Sequence, residues 1–256
     1  MPLNGKVALI TGGSRGIGAE IAKQLSAEGA RIFLAANDSE DMFDRVAQQC
    51  RRQSPTAEVA HGRFDFLEDG SSPGVVRAAM AAFGRIDILV NNAAIRVRRP
   101  FGEFSAQEFD QVVAVNLRAP FLVSQEVVPI MKANGGGRII NIASQMGSIA
   151  EQNLALYGLT KAALIHLTMS MAFELAPANI MVNAVSPGPT MTEYNVERTR
   201  QHPRLEIRFQ GVRSGLRDPM PQREQRGEER DRPPGAIQRS ANRYGRSEQE
   251  GQAQQI

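Results

Sequence analysis

The sequence predicts an α/β protein built on a doubly wound parallel sheet with helices on both faces. Three observations carry this. Short runs rich in Val, Ile and Leu alternate with longer segments of helical periodicity through the first 190 residues. Those runs are apolar throughout, as strands buried on both faces require. The first of them opens directly into a glycine-rich turn, TGGSRGIG (11–18), that leads a helix.

Taken in order, KVALIT (6–11) is the first strand, and a helix follows from about Gly16 to Glu28. RIFLA (31–35) is the second strand, before a helix over about 40–53. Further strands fall near 58–64, at IDILVN (86–91), at RIINIAS (138–144) and at IMVNAVS (180–186). Amphipathic stretches near 105–132 and 155–176 fill the gaps. Parallel strands joined through helices imply right-handed crossovers. Six strands are recognisable.

The chain divides into a dinucleotide-binding domain over 1–200 and an atypical tail over 201–256. Residues 1–196 hold 17 Lys and Arg against 18 Asp and Glu, whereas 197–256 hold 13 Arg, 9 acidic residues and no lysine. The tail has only 12 residues of the hydrophobic set among its last 60, too few to offset ordering entropy, so it reads as largely disordered or poorly packed. RLEIRFQGV (204–212) alternates well enough for a short edge strand. The tail arginines are interleaved with acids and nearly free of aromatics, which argues against a nucleic-acid partner. No apolar run approaches the roughly 20 residues that span a bilayer. The N-terminus lacks a signal-peptide pattern, and the single Cys50 fits a reducing compartment. A cytoplasmic protein with no membrane partner is expected.

The turn TGGSRGIG stands in the first βα connection, where glycines let the backbone approach a ligand and a helix N-terminus offers free N–H groups to a phosphate. Gly12, Gly16 and Gly18, with Ser14, Arg15 and Ile17, form this candidate nucleotide site. Further on, YGLTK (157–161) sets a tyrosine and a lysine four apart on one helical face. Alone, the pair reads equally as ordinary packing.

The glycine spacing resembles the short-chain dehydrogenase/reductase family, and the resemblance extends over about residues 4–195. NNAA (91–94) stands where that family has NNAG, with Ala94 in place of its glycine. Asn116, in VNLRAPF, is similar to a family asparagine. Ser144, Tyr157 and Lys161 follow the family's order and spacing, and PGPTMT (187–192) is similar to the turn that closes over the nicotinamide. The fold implied is Rossmann-type. The chemistry implied is hydride transfer between a nicotinamide and a carbonyl carbon, with Tyr157 moving the proton.

In that scheme Lys161 lowers the tyrosine pKa from near 10; about three units needs roughly 4 kcal/mol favouring the phenolate. Lys161 also holds the ribose, Ser144 stabilises the substrate oxygen, and Asn116 holds a water linking Lys161 to solvent. The resemblance further implies cofactor contacts from Asn37, from Asp65 to the adenine, from Asn91 and the Ala93 backbone, and from Pro187, Gly188, Thr190 and Thr192 around the carboxamide. Ala36 stands where NAD-preferring relatives carry an aspartate, and Arg15 can pair with a phosphate, so NADP(H) is the preferred cofactor and NAD(H) a possible one. Against this, Asp38 can swing toward a ribose hydroxyl.

IRVRRPF (95–101) follows the fourth strand. Arg96, Arg98 and Arg99 either bind a substrate carboxylate or phosphate or form a solvated basic loop. The stretch resembles the arginine-rich loop of gluconate 5-dehydrogenase-type members, with 3-oxoacyl carrier-protein reductases as the other near branch. The substrate is thus a small carbonyl or alcohol, of keto-sugar-acid or 3-oxoacyl type. His61, His166 and His202 lack metal spacing, so no metal is implied; His166 reads as packed or at an interface.

Family members continue past the PG turn with further helices and a seventh strand that forms part of a lid and a subunit interface. The tail reads instead as a frame-shifted or otherwise altered sequence, which the other reading frames of the gene test. Two functions follow: an active reductase or dehydrogenase working as a homodimer or homotetramer, or a nucleotide-binding relative with little turnover.

Overall fold

A computed structural model describes residues 2–192 and 195–196. The tail, with its expected strand at 204–212 and His202, lies outside the described residues. The strands are β1 (Val7–Thr11), β2 (Arg31–Ala36), β3 (Val59–Arg63), β4 (Ile88–Asn91), β5 (Gly137–Ile142) and β6 (Ile180–Val185). The helices are α1 (Gly16–Ala27), α2 (Glu40–Gln53), α3 (Ser71–Phe83), α4 (Ala106–Val113), α5 (Ala119–Ala133) and α6 (Ala155–Leu175). All neighbouring strands run parallel, in the order β3-β2-β1-β4-β5-β6. The order reverses between β1 and β4, the crevice where doubly wound sheets bind ligands.

Alternation along the strands divides the core in two. Leu9, Phe33, Leu89 and Ile139 pack with Val75 and Ala79 of α3 and Val123 and Val127 of α5. Ala8, Ile10, Ile32, Leu34, Ile88 and Val90 pack on the opposite side with Ala22 of α1 and Phe43 and Val46 of α2. On β6 the split is uneven: Ile180 and Val182 are buried, whereas Met181 and Val185 are exposed.

Two elements depart from expectation. Residues 71–83 form a full helix, α3, where no helix is expected. Its Pro73 and Gly74 read as breakers, but Pro73 lies in the first turn, where a missing N–H costs little. The stretch 105–132 is not one uniform helix. Ser105 caps α4 through a reciprocal capping box with Glu108, and residues 114–118 then widen into a π-helical turn before α5. Asn116 sits inside that turn, fully buried.

Candidate active site

The carboxyl ends of β1, β4 and β5 surround a cavity of about 570 Å³. One wall is the glycine turn. Gly12 has φ +64°, and a Cβ there would lie 2.8 Å from both the Ala93 Cα and the Asn92 side-chain nitrogen. A Cβ on Gly18 would come within 2.6 Å of the same nitrogen. The hydrogen bonds of Asn92 hold it that close: its Nδ2 donates to the carbonyls of Thr11 (3.1 Å) and Gly12 (2.9 Å). The Thr11 hydroxyl accepts from the N–H groups of Asn92 (3.0 Å) and Ala93 (3.1 Å), so the two turns are stitched together. Helix α1 begins here with no acidic residue in its first turn and no side-chain cap. A tight glycine cradle at an uncapped helix N-terminus fits a dinucleotide diphosphate.

Arg15, Gly16, Ile17, Pro187, Gly188, Thr190 and Thr192 all line this cavity, as expected of cofactor contacts. Ser14, Asp38 and Arg15 meet beside the glycine turn. The buried Ser14 hydroxyl donates to the Asp38 carboxylate, and the Arg15 Nε stands 3.7 Å from it. Asp65 lies just beyond β3, not at its end. Its carboxylate accepts from Asn37 Nδ2 at 2.7 Å, and Arg63 Nε donates to Asn37 Oδ1 at 2.9 Å. Arg63 enters this chain of contacts with no sequence signal to announce it.

Asn91 is placed differently. Its side chain is buried in the fold, donating to Ser124 Oγ (3.1 Å) and Asn141 Oδ1 (2.9 Å), while Asn141 donates to Thr168 Oγ1 (2.8 Å). The residues of this turn that line the cavity are Asn92 and Ala94. The parallel register pairs Asn91 with Asn141 across β4 and β5, which turns both amides inward.

Ser144, Tyr157 and Lys161 come together on the wall formed by β5 and α6. Ser144 follows β5 and accepts from the Met146 N–H at 3.2 Å. Its side chain also acts on the Tyr157 phenol, in the sense that lowers its pKa. Lys161 is 2 % exposed and donates to the Ile142 carbonyl at 2.7 Å. Its ammonium stands 5.7 Å from the Tyr157 ring centroid. Burial lowers the lysine pKa from its ordinary 10.5 to about 8.

The expected depression of Tyr157 is not present in the protein alone. Burial pushes the phenol up, and the Ser144 side chain and the Arg96 charge offset this only in part. Lys161 is one helical turn away, but its ammonium is engaged by the end of β5 instead of the phenol oxygen.

The Asn116 side chain is fully committed. Its Oδ1 accepts from Ile95 N–H (2.8 Å), and its Nδ2 donates to the Ile95 carbonyl (3.0 Å) and to Thr160 Oγ1 (3.1 Å). Thr160, buried, donates in turn to the Tyr157 carbonyl at 2.9 Å. Neither Thr160 nor Glu151, which lines the cavity, carries a sequence signal; each is recognisable only by what the fold places beside it. Arg96 and Arg98 line the cavity and Arg99 does not.

His61 stacks on Phe43 at 4.8 Å, with Glu40 3.5 Å from its Nδ1, while His166 is exposed and not packed within the chain. Among the described residues no cluster of ligands could hold a metal, and no helix is long and apolar enough to cross a membrane.

A parallel sheet with a glycine cradle at its switch point defines the nucleotide-binding class of doubly wound α/β proteins. The chain belongs to the short-chain dehydrogenase/reductase family, whose model, described as short chain dehydrogenase, matches residues 6–203. It is 39% identical over 189 residues to a galactitol 2-dehydrogenase of Agrobacterium fabrum, covering 73% of this chain and 72% of that one. It is 36% identical over 186 residues to a 2-dehydro-3-deoxy-D-gluconate 5-dehydrogenase of Formosa agariphila, covering 73% and 70%. Among solved structures, NAD+-bound xylitol dehydrogenase superposes with a TM-score of 0.69 at 34% identity, covering 73% and 72%. The protein is thus an NAD(P)-dependent dehydrogenase or reductase acting on CH–OH groups.

Proposed function

We propose that the protein interconverts a secondary alcohol and a carbonyl through Ser144, Tyr157 and Lys161. The carrying observation is that Ser144, Tyr157 and Lys161 line one wall of a cavity whose other wall is the glycine turn. When bound, the nicotinamide supplies or accepts the hydride.

The chain's own residues do the rest. The amides of the glycine turn and the α1 N-terminus hold the diphosphate, and Thr190 and Thr192 face the carboxamide. Ser144 orients the substrate oxygen toward the Tyr157 hydroxyl. Because burial raises the phenol pKa, Tyr157 Oη keeps its proton at neutral pH and donates it as a carbonyl is reduced. Running the other way, Tyr157 must first give up its own proton to solvent; nearby positive charge stabilises the phenolate so formed, which then accepts the proton of the substrate hydroxyl. The Asn116 carbonyl takes the expected water. Residue 120, which would be its α-helical donor, is a proline with no N–H, so no α-helical hydrogen bond from that position competes for the oxygen.

For the cofactor, the ribose end favours NAD(H). The NADP(H) preference expected from Ala36 and Arg15 depends on Arg15 meeting a phosphate. Asp38, 20 residues past Gly18, already draws Arg15 and Ser14 and places negative charge where a 2′-phosphate would sit. The NAD+-bound xylitol dehydrogenase relative supports this choice.

The substrate is of keto-sugar-acid type, a class supported by the deoxy-gluconate relative, over the 3-oxoacyl type. A second copy of the chain covers the apolar residues that α5 and α6 expose, Phe121, Leu122, Leu159, Met169 and Phe173, giving a homodimer or homotetramer. The lone Cys50, buried, suits the cytoplasm.

The test is steady-state assay of the full chain with NAD+ and NADP+ against sugar acids and polyols, and with NADH and NADPH against keto acids and 3-oxoacyl thioesters. Turnover is expected to fall about 10³-fold in Tyr157→Phe with the melting temperature unchanged. Full activity in that variant would overturn the mechanism.

A further inference from the structure

Three arginines follow β4, and each has a different address. Arg99 is outside the cavity wall; its guanidinium meets Glu108 at 3.2 Å, and its N–H donates to the Asn153 carbonyl at 3.2 Å. Arg98 reaches the wall but is paired with Glu151 at 3.1 Å, both side chains being mostly buried. Arg96 lines the wall beside Ser144 and Tyr157, and its charge acts on the Tyr157 hydroxyl.

The backbone beneath Arg96 is held firmly. Ile95, immediately before it, gives both its N–H and its carbonyl to the Asn116 side chain. Asn116 continues to Thr160 and Thr160 to the Tyr157 carbonyl. An unbroken run of buried hydrogen bonds therefore sets the arginine loop against the helix that carries the tyrosine. Among the described residues the cavity wall carries Arg15, Arg96, Arg98 and Lys161 against the carboxylate of Glu151, with Asp38 beside Arg15. Such a wall attracts an anion, and a guanidinium binds a carboxylate through two parallel hydrogen bonds.

We propose that Arg96 anchors a carboxylate on the substrate, so that the site takes sugar acids and related hydroxy or oxo acids in preference to neutral polyols. This rests on the hydride-transfer reading above and chooses between its relatives, one named for a gluconate derivative and one for the neutral galactitol. The Ile95–Asn116–Thr160 bridge fixes the distance from anchor to proton donor, and hence which hydroxyl of the acid meets Tyr157.

The experiment compares wild type, Arg96→Gln, Arg96→Lys and Arg99→Gln, with gluconate as the acid and galactitol and xylitol as neutral alcohols. Arg96→Gln is expected to raise KM for the acid tenfold or more and KM for the polyols less than twofold, with kcat read separately because Arg96 also acts on Tyr157. Arg96→Lys recovers part of the loss, and Arg99→Gln moves the acid-to-polyol ratio less than twofold. Raising ionic strength should weaken the acid alone. Equal losses on acid and polyol in Arg96→Gln, or an equal effect from Arg99→Gln, would overturn the assignment. Calorimetric titration of gluconate into the NAD+-loaded Tyr157→Phe protein separates this from the broader reading. Binding there that disappears with Arg96→Gln supports the anchor even if the wild type fails to turn over, and binding that persists at full strength refutes it.

Discussion

At the amino end of β4, Asp87 is buried and met from three sides: by Arg85 (2.8 and 2.5 Å), by the Val7 N–H (3.0 Å) and by Lys6 (3.3 Å). At the carboxyl end of β5, Lys161 is buried as deeply and meets the Ile142 carbonyl. Both are charged groups inside one sheet, yet their titrations move in opposite senses relative to their charge. Burial alone would raise the Asp87 pKa, but its hydrogen bonds from Arg85, Val7 and Lys6 outweigh that and hold it below the ordinary 3.8. Burial of Lys161 is not offset, and its pKa falls to about 8. One end of the sheet uses its polar contacts to hold the fold together; the other keeps a destabilised cation beside the proton donor.

The pH dependence follows with opposite signs. Asp87 binds its proton less readily in the folded state, so it contributes stability above its ordinary 3.8 and loses it as pH falls through the lower folded value. Lys161 releases its proton more readily in the folded state. Between pH about 8 and its ordinary 10.5 the unfolded chain holds more protons, and this group's effect on stability becomes more favourable as pH rises through that window.

The sharpest way to break this contrast is Lys161→Met. Turnover is expected to drop about 10³-fold, while stability at pH 7 rises by about 2 kcal/mol, since an uncompensated buried charge is removed. Urea unfolding beside a cofactor-absorbance assay reads both; a less stable variant would refute the contrast. Asp87→Asn should do the reverse, costing about 1–3 kcal/mol and leaving kcat/KM within twofold. Its unfolding curve should also lose the acid dependence attributed to Asp87.

Asp38→Asn probes the ribose end. It frees Ser14 and Arg15 and is expected to shift the NADP(H)-to-NAD(H) ratio of kcat/KM about tenfold toward NADP(H). An unchanged ratio would return cofactor choice to Ala36. The smallest effect is expected of Pro120→Ala. Restoring an N–H at residue 120 lets the helix reclaim the Asn116 carbonyl, lowering kcat severalfold with no loss of melting temperature. Unaltered kcat would remove that carbonyl from the proton path.

Much of the site is legible in the amino-acid sequence because its chemistry is local. The glycine turn is contiguous, and Tyr157 and Lys161 are one helical turn apart. Ser144 ends a strand that its own apolar run announces. Helix α3 escapes a local reading because Pro73 and Gly74 weigh heavily there, whereas their place in the first turn makes them harmless. Asn91 reads as a ligand contact from its motif, and only the pairing of β4 with β5 turns it into the core beside Asn141.

Residue type and short-range spacing are enough to predict the parallel α/β architecture and the glycine turn, whereas Ser144, Tyr157 and Lys161 stand out only through their resemblance to the family's motifs. Folding alone decides which way the Tyr157 pKa moves, that Asp38 lies beside Arg15, and that Arg96 and Arg98 reach the cavity wall while Arg99 does not. Those outcomes depend on burial and on partners 20 to 80 residues away, such as Ser14 with Asp38 and Val7 with Asp87. Only the folded chain brings such groups within reach of one another.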